Sequence, residues 1–210
     1  GRLPVQEPLD YPDLAIIHPD AAAPFTELSA YRKWRAQRAK SRRGSSEKAS
    51  KGTVGLLTLR TTVLSGNTAH LDALTRALEA HGLEVITGYS PGLDGRPTVD
   101  AFFRDRAGAP AIDLLVSTTG FGLVGGPAAS RPDQAVAALS SLGVPYLDLI
   151  PLMFQSPQAW HHDDRGLAPT ALALNVSLPE LDGAIEPTVY AGVASGAETY
   201  QPIGAQIELA

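Results

Sequence analysis

Three carboxylates fall within seven residues at Glu180, Asp182 and Glu186, in the stretch LPELDGAIEPTVYAG. A hard divalent cation such as Mg²⁺ takes carboxylate and water oxygens and keeps much of its hydration. A carboxyl group with a raised pKa also serves as a proton acceptor. Gly183 and Pro187 are expected to place the three on a turn. Glu180 and Asp182 are the candidate metal-handling pair, and all three are candidates for acid–base work. The plain alternative is a solvated acidic surface.

Two further segments carry candidate chemistry because each follows a strand, and ligands of parallel sheets gather beyond the carboxyl ends of strands. In RTTVLSGN, Arg60 can clamp a carboxylate, and Ser65 or Asn67 can cap the next helix and leave backbone N–H groups facing a ligand. In TTGFGLVGGP, Gly120, Gly122 and Gly125 reproduce the G-x-G-x-x-G spacing of a dinucleotide site, with Asp148 near the end of the next strand. Gly126, Pro127 and Pro132 delay the helix that such a site needs, so neither NAD(P) nor a flavin is expected. The better reading is a backbone that lies close to a flat ligand, with Phe121 between the first two glycines, or a flexible turn.

The HHDD run at His161 to Asp164 has no second ligand pair at metal spacing and reads as a polar turn. His18 and His70 read as structural. Met153, Phe154 and Trp160 form an apolar group suited to a flat hydrophobic ligand or to the core.

The elements that must position these residues follow a β–α alternation. Thr53 to Leu59, Glu84 to Tyr89, Ile112 to Thr118 and Pro145 to Ile150 read as buried strands. Asn67 to His81, Thr98 to Arg106 and Pro132 to Leu142 read as the helices between them. This predicts an α/β fold, a doubly wound parallel sheet of the flavodoxin or Rossmann-like kind, with strand order 2-1-3-4. Residues 1–30 read as an extended lead-in that docks elsewhere, with Leu14 to Ile17 as its one strand-like run. Residues 31–52 read as a basic, flexible linker, with Ala39 to Ser50 expected to be mobile. The parallel domain spans 53–150. Residues 151–210 form a C-terminal α/β appendage with a short helix over Pro151 to Trp160 and a strand at Thr188 to Ala191.

Composition narrows the function classes. The 210 residues contain no Cys, which excludes disulfides, thiolate catalysis and cysteine-bound metal or iron–sulfur sites. The net charge of −5 conceals nine Lys and Arg against one Glu in residues 31–51. That basic run is interleaved with Ser and Gly, and the remainder is acidic, so no nucleic-acid partner is expected. No apolar run approaches membrane-span length, and no leader is evident, which makes the cytoplasm the expected compartment. The chain opens on Gly1, as a piece of a longer protein would.

Four stretches together resemble the large subunit of magnesium chelatase and its relative in cobalt chelatase. They are VGLLTLRTTVLSGNTAHLDALTRALEAHGLEV at Val54 to Val85, STTGFGLVGGPA at Ser117 to Ala128, LGVPYLDLIPLMFQSPQAW at Leu142 to Trp160, and ALNVSLPELDGAIEP at Ala173 to Pro187. The resemblance implies part of a porphyrin-binding subunit that inserts Mg²⁺ into protoporphyrin IX for chlorophyll or bacteriochlorophyll, driven by ATP hydrolysis on AAA+ partner subunits. It implies contact with the remainder of its own large subunit, and a plastid stroma as the compartment in a phototrophic eukaryote. Its acidic segment falls on Glu180, Asp182 and Glu186. Arg60, Ser65, Asn67, Gly120, Phe121 and Gly122 are the candidate porphyrin contacts. The linker around Arg38 to Lys51 and the HHDD turn depart from the shared pattern. A cobaltochelatase fragment, a dinucleotide-dependent oxidoreductase and a non-catalytic binding module are the competing readings.

Overall fold

The computed structural model describes residues 11–41 and 50–204. Seven strands form one mixed sheet: β1 (Ala15–Ile17), β2 (Thr53–Leu59), β3 (Glu84–Ser90), β4 (Leu114–Ser117), β5 (Tyr146–Leu152), β6 (Ile185–Val193) and β7 (Tyr200–Pro202), in the order β1-β3-β2-β4-β5-β6-β7. The inner five strands pair in parallel, and β1 and β7 close the two edges antiparallel. The four strands expected from sequence sit in the expected order. Alternate strand residues feed two separate clusters. Leu57, Ile86, Leu115 and Tyr146 join one, and Leu56, Val85, Val116 and Leu149 the other. That is the period-2 alternation of a sheet covered on both faces.

The helices are α1 (Leu28–Ser41), α2 (Arg60–Leu64), α3 (Ala69–Ala80), α4 (Arg96–Phe102), α5 (Pro132–Leu142), α6 (Pro157–His162), α7 (Pro169–Leu172) and α8 (Leu178–Leu181), with a π-helical stretch at Ala173–Ser177 between the last two. Leu74 of α3 packs in the second cluster, and Val99 and Phe102 of α4 with Ala135, Leu139 and Leu142 of α5 pack in the first.

The basic run departs from its reading as a linker. Tyr31, Trp34, Arg35 and Arg38 recur at i, i+3, i+4 and i+7, which puts them on one helical face. Tyr31 is fully buried and its hydroxyl donates to the Val85 carbonyl, while Trp34 stacks on it with ring centroids 5.8 Å apart. Arg35 pairs with Glu84 at 3.1 Å, and Arg38 reaches Glu79 at 3.1 Å and Asp20. Two aromatics and two paired guanidiniums thus dock a helix whose mean hydropathy is low. Of the stretch expected to be mobile, residues 39–41 are helical and 42–49 lie outside the described residues.

The lead-in also docks on this sheet. Ile16, fully buried, exchanges backbone hydrogen bonds of 2.8 Å with Phe25 while its strand pairs with β3. Past residue 150, β5 continues through Pro151 to Leu152 where a short helix was expected. The register shifts between Ile150 and Pro151, the irregularity a proline inside a sheet requires. The short helix instead opens at Pro157, where the Ser156 side chain accepts a 3.1 Å bond from the Ala159 N–H.

Candidate functional site

The strand order reverses at β2, whose neighbours β3 and β4 lead away in opposite directions. The segments leaving the carboxyl ends of these strands therefore part and leave a crevice. A narrow cleft lies there, lined by Leu57, Leu59, Ser90, Leu93, Phe121 and Gly122. Its two walls are laced together, because the Gly95 N–H donates to the Leu123 carbonyl and the Gly125 N–H to the Leu93 carbonyl, each at 2.8 Å.

The glycine segment is held from beneath by two side chains of the C-terminal region. Asn175 sits in the π-helical stretch, fully buried, and its Nδ2 donates to the Gly120 carbonyl at 2.7 Å. Asp182, 3% exposed at the end of α8, accepts a 2.6 Å bond from the Leu123 N–H through Oδ2. A Cβ on Gly120 would stand 2.7 Å from Asn175 Nδ2, and one on Gly122 2.7 Å from Asp182 Oδ2. These two glycines are required by the approach of those side chains, and Gly120 also holds φ at +77°. The helix that follows the glycines in sequence opens only at Pro132.

Behind this segment is a buried polar layer. Ser117 and Asp148 are paired across β4 and β5, and Tyr146 shares their face. Among the described residues, both carboxyl oxygens of Asp148, Asn175 Oδ1 and Asp182 Oδ1 have no hydrogen-bond partner. Burial pushes the Asp148 carboxyl well above its usual range. Burial also raises Asp182, against the opposing effect of the Leu123 N–H bond. Tyr146 is raised by burial and then by Asp148, against the opposing effect of a hydrogen bond with the Ser117 side chain.

The acidic segment does not converge as one turn. Glu180 lies in α8 with its side chain exposed, Asp182 faces inward, and Glu186 is exposed in β6 with φ of +52°. Among the described residues, no three His, Cys, Asp or Glu side chains are placed to hold a metal ion. Arg60 opens α2, but its guanidinium donates to the carbonyls of Pro12 at 3.1 Å and Tyr11 at 2.7 Å, which ties it to the lead-in. Ser65 donates to the Thr62 carbonyl, and Asn67 Oδ1 accepts from the Tyr200 N–H at 2.7 Å. Neither caps α3, whose cap position is Thr68. Met153 and Phe154 stand 53% and 48% exposed just beyond β5, whereas Trp160 packs against the Ile150, Leu152 and Val189 cluster.

The family described as CobN/Magnesium Chelatase matches residues 1–210. The chain belongs to that family. It is 40% identical over 195 residues to the magnesium-chelatase H subunit of Cereibacter sphaeroides, covering 91% of this chain and 15% of that protein. It is 37% identical over 190 residues to the chloroplastic magnesium-chelatase ChlH subunit of Oryza sativa subsp. japonica, covering 89% of this chain and 13% of that one. The aerobic cobaltochelatase CobN subunit of Pseudomonas aeruginosa is 30% identical over 191 residues, 90% of this chain and 14% of that protein. Among solved structures, the catalytic subunit of cobaltochelatase from Mycobacterium tuberculosis superposes with a TM-score of 0.67 at 21% identity, over 99% of this chain and 16% of that one, and shows a shared fold. The chain thus spans about a seventh of the length of the curated relatives it matches.

Within this member of the CobN/magnesium chelatase family, Asn175 and the layer of Ser117, Tyr146 and Asp148 are the residues that motif reading passed over. Asp148 attracted notice only as a partner for a dinucleotide fingerprint. The available signal was a polar residue in an otherwise apolar strand, YLDLIPL, and a lone Asn in the apolar helical stretch ALNVSL.

Proposed function

We propose that this chain forms a porphyrin-facing region of a magnesium-chelatase large subunit, with protoporphyrin IX and Mg²⁺ as substrates. Its parallel core is read as a doubly wound sheet, since α3 packs in one strand cluster and α4 and α5 in the other. One observation carries the functional reading: the Asp182 to Leu123 bond joins the acidic segment directly to the glycine segment at the strand-order reversal. The cleft is too narrow to admit a tetrapyrrole, so the flat ring would lie across its mouth. Leu93 on its wall is exposed, and Met153 and Phe154 add exposed apolar surface just beyond the carboxyl end of β5, two strands from β2 in the same sheet, which the ring would have to reach. The greater identity to the magnesium-chelatase relatives than to the CobN of Pseudomonas favours magnesium over cobalt as the inserted metal.

Insertion replaces two pyrrole N–H protons by the cation. Glu180 and Glu186, exposed on either side of Asp182, are the carboxylates free to meet hydrated Mg²⁺ and to take those protons. ATP would be hydrolysed on AAA+ partner subunits, with the rest of the large subunit completing the site. The Ser substitutions Met153→Ser and Phe154→Ser together, in the intact large subunit, test the ring's position by porphyrin fluorescence titration. Loss of two half-buried apolar contacts should weaken binding roughly tenfold or more. An unchanged affinity would move the ring away from this rim.

A further inference from the structure

We infer that Asp182 and Asn175 are positioning residues that set the shape of the glycine segment from below, so that Asp182 acts on the bound ring through the Gly120–Leu123 backbone and is neither metal ligand nor base. The inference rests on the porphyrin-facing reading for its consequence, but its structural half stands alone.

The two side chains come from one continuous helical run, Pro169 to Leu181, and from the Asp182 that caps its end, and they reach the segment at both ends. Asn175 donates a hydrogen bond to the Gly120 carbonyl, and Asp182 accepts one from the Leu123 N–H. A donor at one end and an acceptor at the other match the polarity of the backbone groups they meet, which lie buried and need partners. The π-helical stretch is the local cause at the Asn175 end. Its wider turn interrupts the α-helical phase between α7 and α8, in the manner of π-bulges that re-aim a side chain at functional sites. The two glycines complete the fit, since any Cβ at Gly120 or Gly122 would collide with the very atoms that make these bonds. Asp182 is also poorly disposed to meet a cation at the rim. It is 3% exposed, one oxygen is committed to Leu123, and the other faces the interior where Tyr146 senses its charge.

The test separates an acceptor from a charge. Asp182→Asn keeps an oxygen for the Leu123 N–H while removing the negative charge. Asp182→Leu and Asn175→Leu remove the acceptor and the donor. In the full-length subunit, hydrogen exchange of a peptide spanning residues 119–126 reads the segment directly, and peptides from β2 and β3 report whether the sheet is intact. The Leu variants should raise exchange in that peptide on the order of 10- to 100-fold, with β2 and β3 unchanged. Asp182→Asn should keep the protection and restore most of the porphyrin affinity that Asp182→Leu loses. Two results would overturn the inference. One is unchanged exchange at 119–126 in Asp182→Leu. The other is Asp182→Asn that protects the segment and binds porphyrin yet inserts Mg²⁺ as poorly as Asp182→Leu, which would make the carboxylate itself the reacting group. If wild-type protein bound no porphyrin here, the functional reading would fail while the exchange data still decided whether the clamp exists.

Discussion

Between pH 6.5 and 4, acidification should weaken this fold through His70. His70 sits in the first turn of α3 at 2% exposure, with the rings of Tyr190 and Tyr200 at 5.7 and 5.3 Å and, among the described residues, no hydrogen-bond partner for Nδ1. Burial lowers its pKa from 6.5 to about 4, because an imidazolium there would lose its hydration without gaining a counter-charge. The unfolded chain takes up this proton near pH 6.5, the folded one only near pH 4. Between those values the unfolded state binds more protons, so stability rises with pH across the window. The contribution is complete above about pH 6.5 and is lost as the pH falls through 4. At about 1.4 kcal/mol per pH unit the difference amounts to roughly 3 kcal/mol. Other groups titrate in the same range, so the measurement is a comparison. Urea unfolding of the 210-residue chain and of its His70→Leu variant, followed by circular dichroism from pH 7.5 to 4, should show the wild type losing roughly 3 kcal/mol more than the variant. Parallel pH curves for the two would refute the reasoning.

The docking of α1 gives two more expectations. Tyr31→Ala removes a fully buried ring and should cost about 3–5 kcal/mol in urea unfolding, whereas a flexible linker would tolerate it. Glu79, despite burial that alone would raise it, is held down to about 2 by hydrogen bonds from His18 and Arg38 and then by their charges. Its contribution is therefore present above about pH 4.5 and lost as the pH falls toward 2. Glu79→Gln should flatten the acid limb of the stability profile in that range, and an unchanged acid limb would show that the pairs carry no net stability.

The parallel core was legible because its signal is local and redundant. Runs such as TVGLLTL are apolar on both faces, and short turns leave few ways to connect them. The α1 helix was not, because its docking depends on acidic partners at Glu79 and Glu84, far along the chain, and composition alone weighs its arginines as solvated. Proline misled at position 151, where a bulge lets the strand continue. At the candidate site, the motifs TGFGLVGGP and LPELDG were each visible, but not that they bind one another. From sequence, Gly120 and Gly122 read as a backbone lying close to a flat ligand or as a flexible turn, and only the fold reveals that Asn175 and Asp182 occupy the space a Cβ would take. The inward turn of Asp182, between two exposed glutamates, was likewise hidden by their adjacency.

The central claim, that Glu180 and Glu186 serve metal delivery or proton removal, meets its most direct test in Mg²⁺ insertion. Glu180→Gln and Glu186→Gln, placed singly in the intact large subunit with the ATPase subunits proposed as its partners and excess ATP, can be followed by Mg-porphyrin fluorescence beside a porphyrin titration. A carboxylate that acts in the transition state should lower kcat by roughly 10²–10⁴ while porphyrin affinity stays within about threefold of wild type. Near-normal turnover in both variants would contradict the account and return the segment to solvated surface.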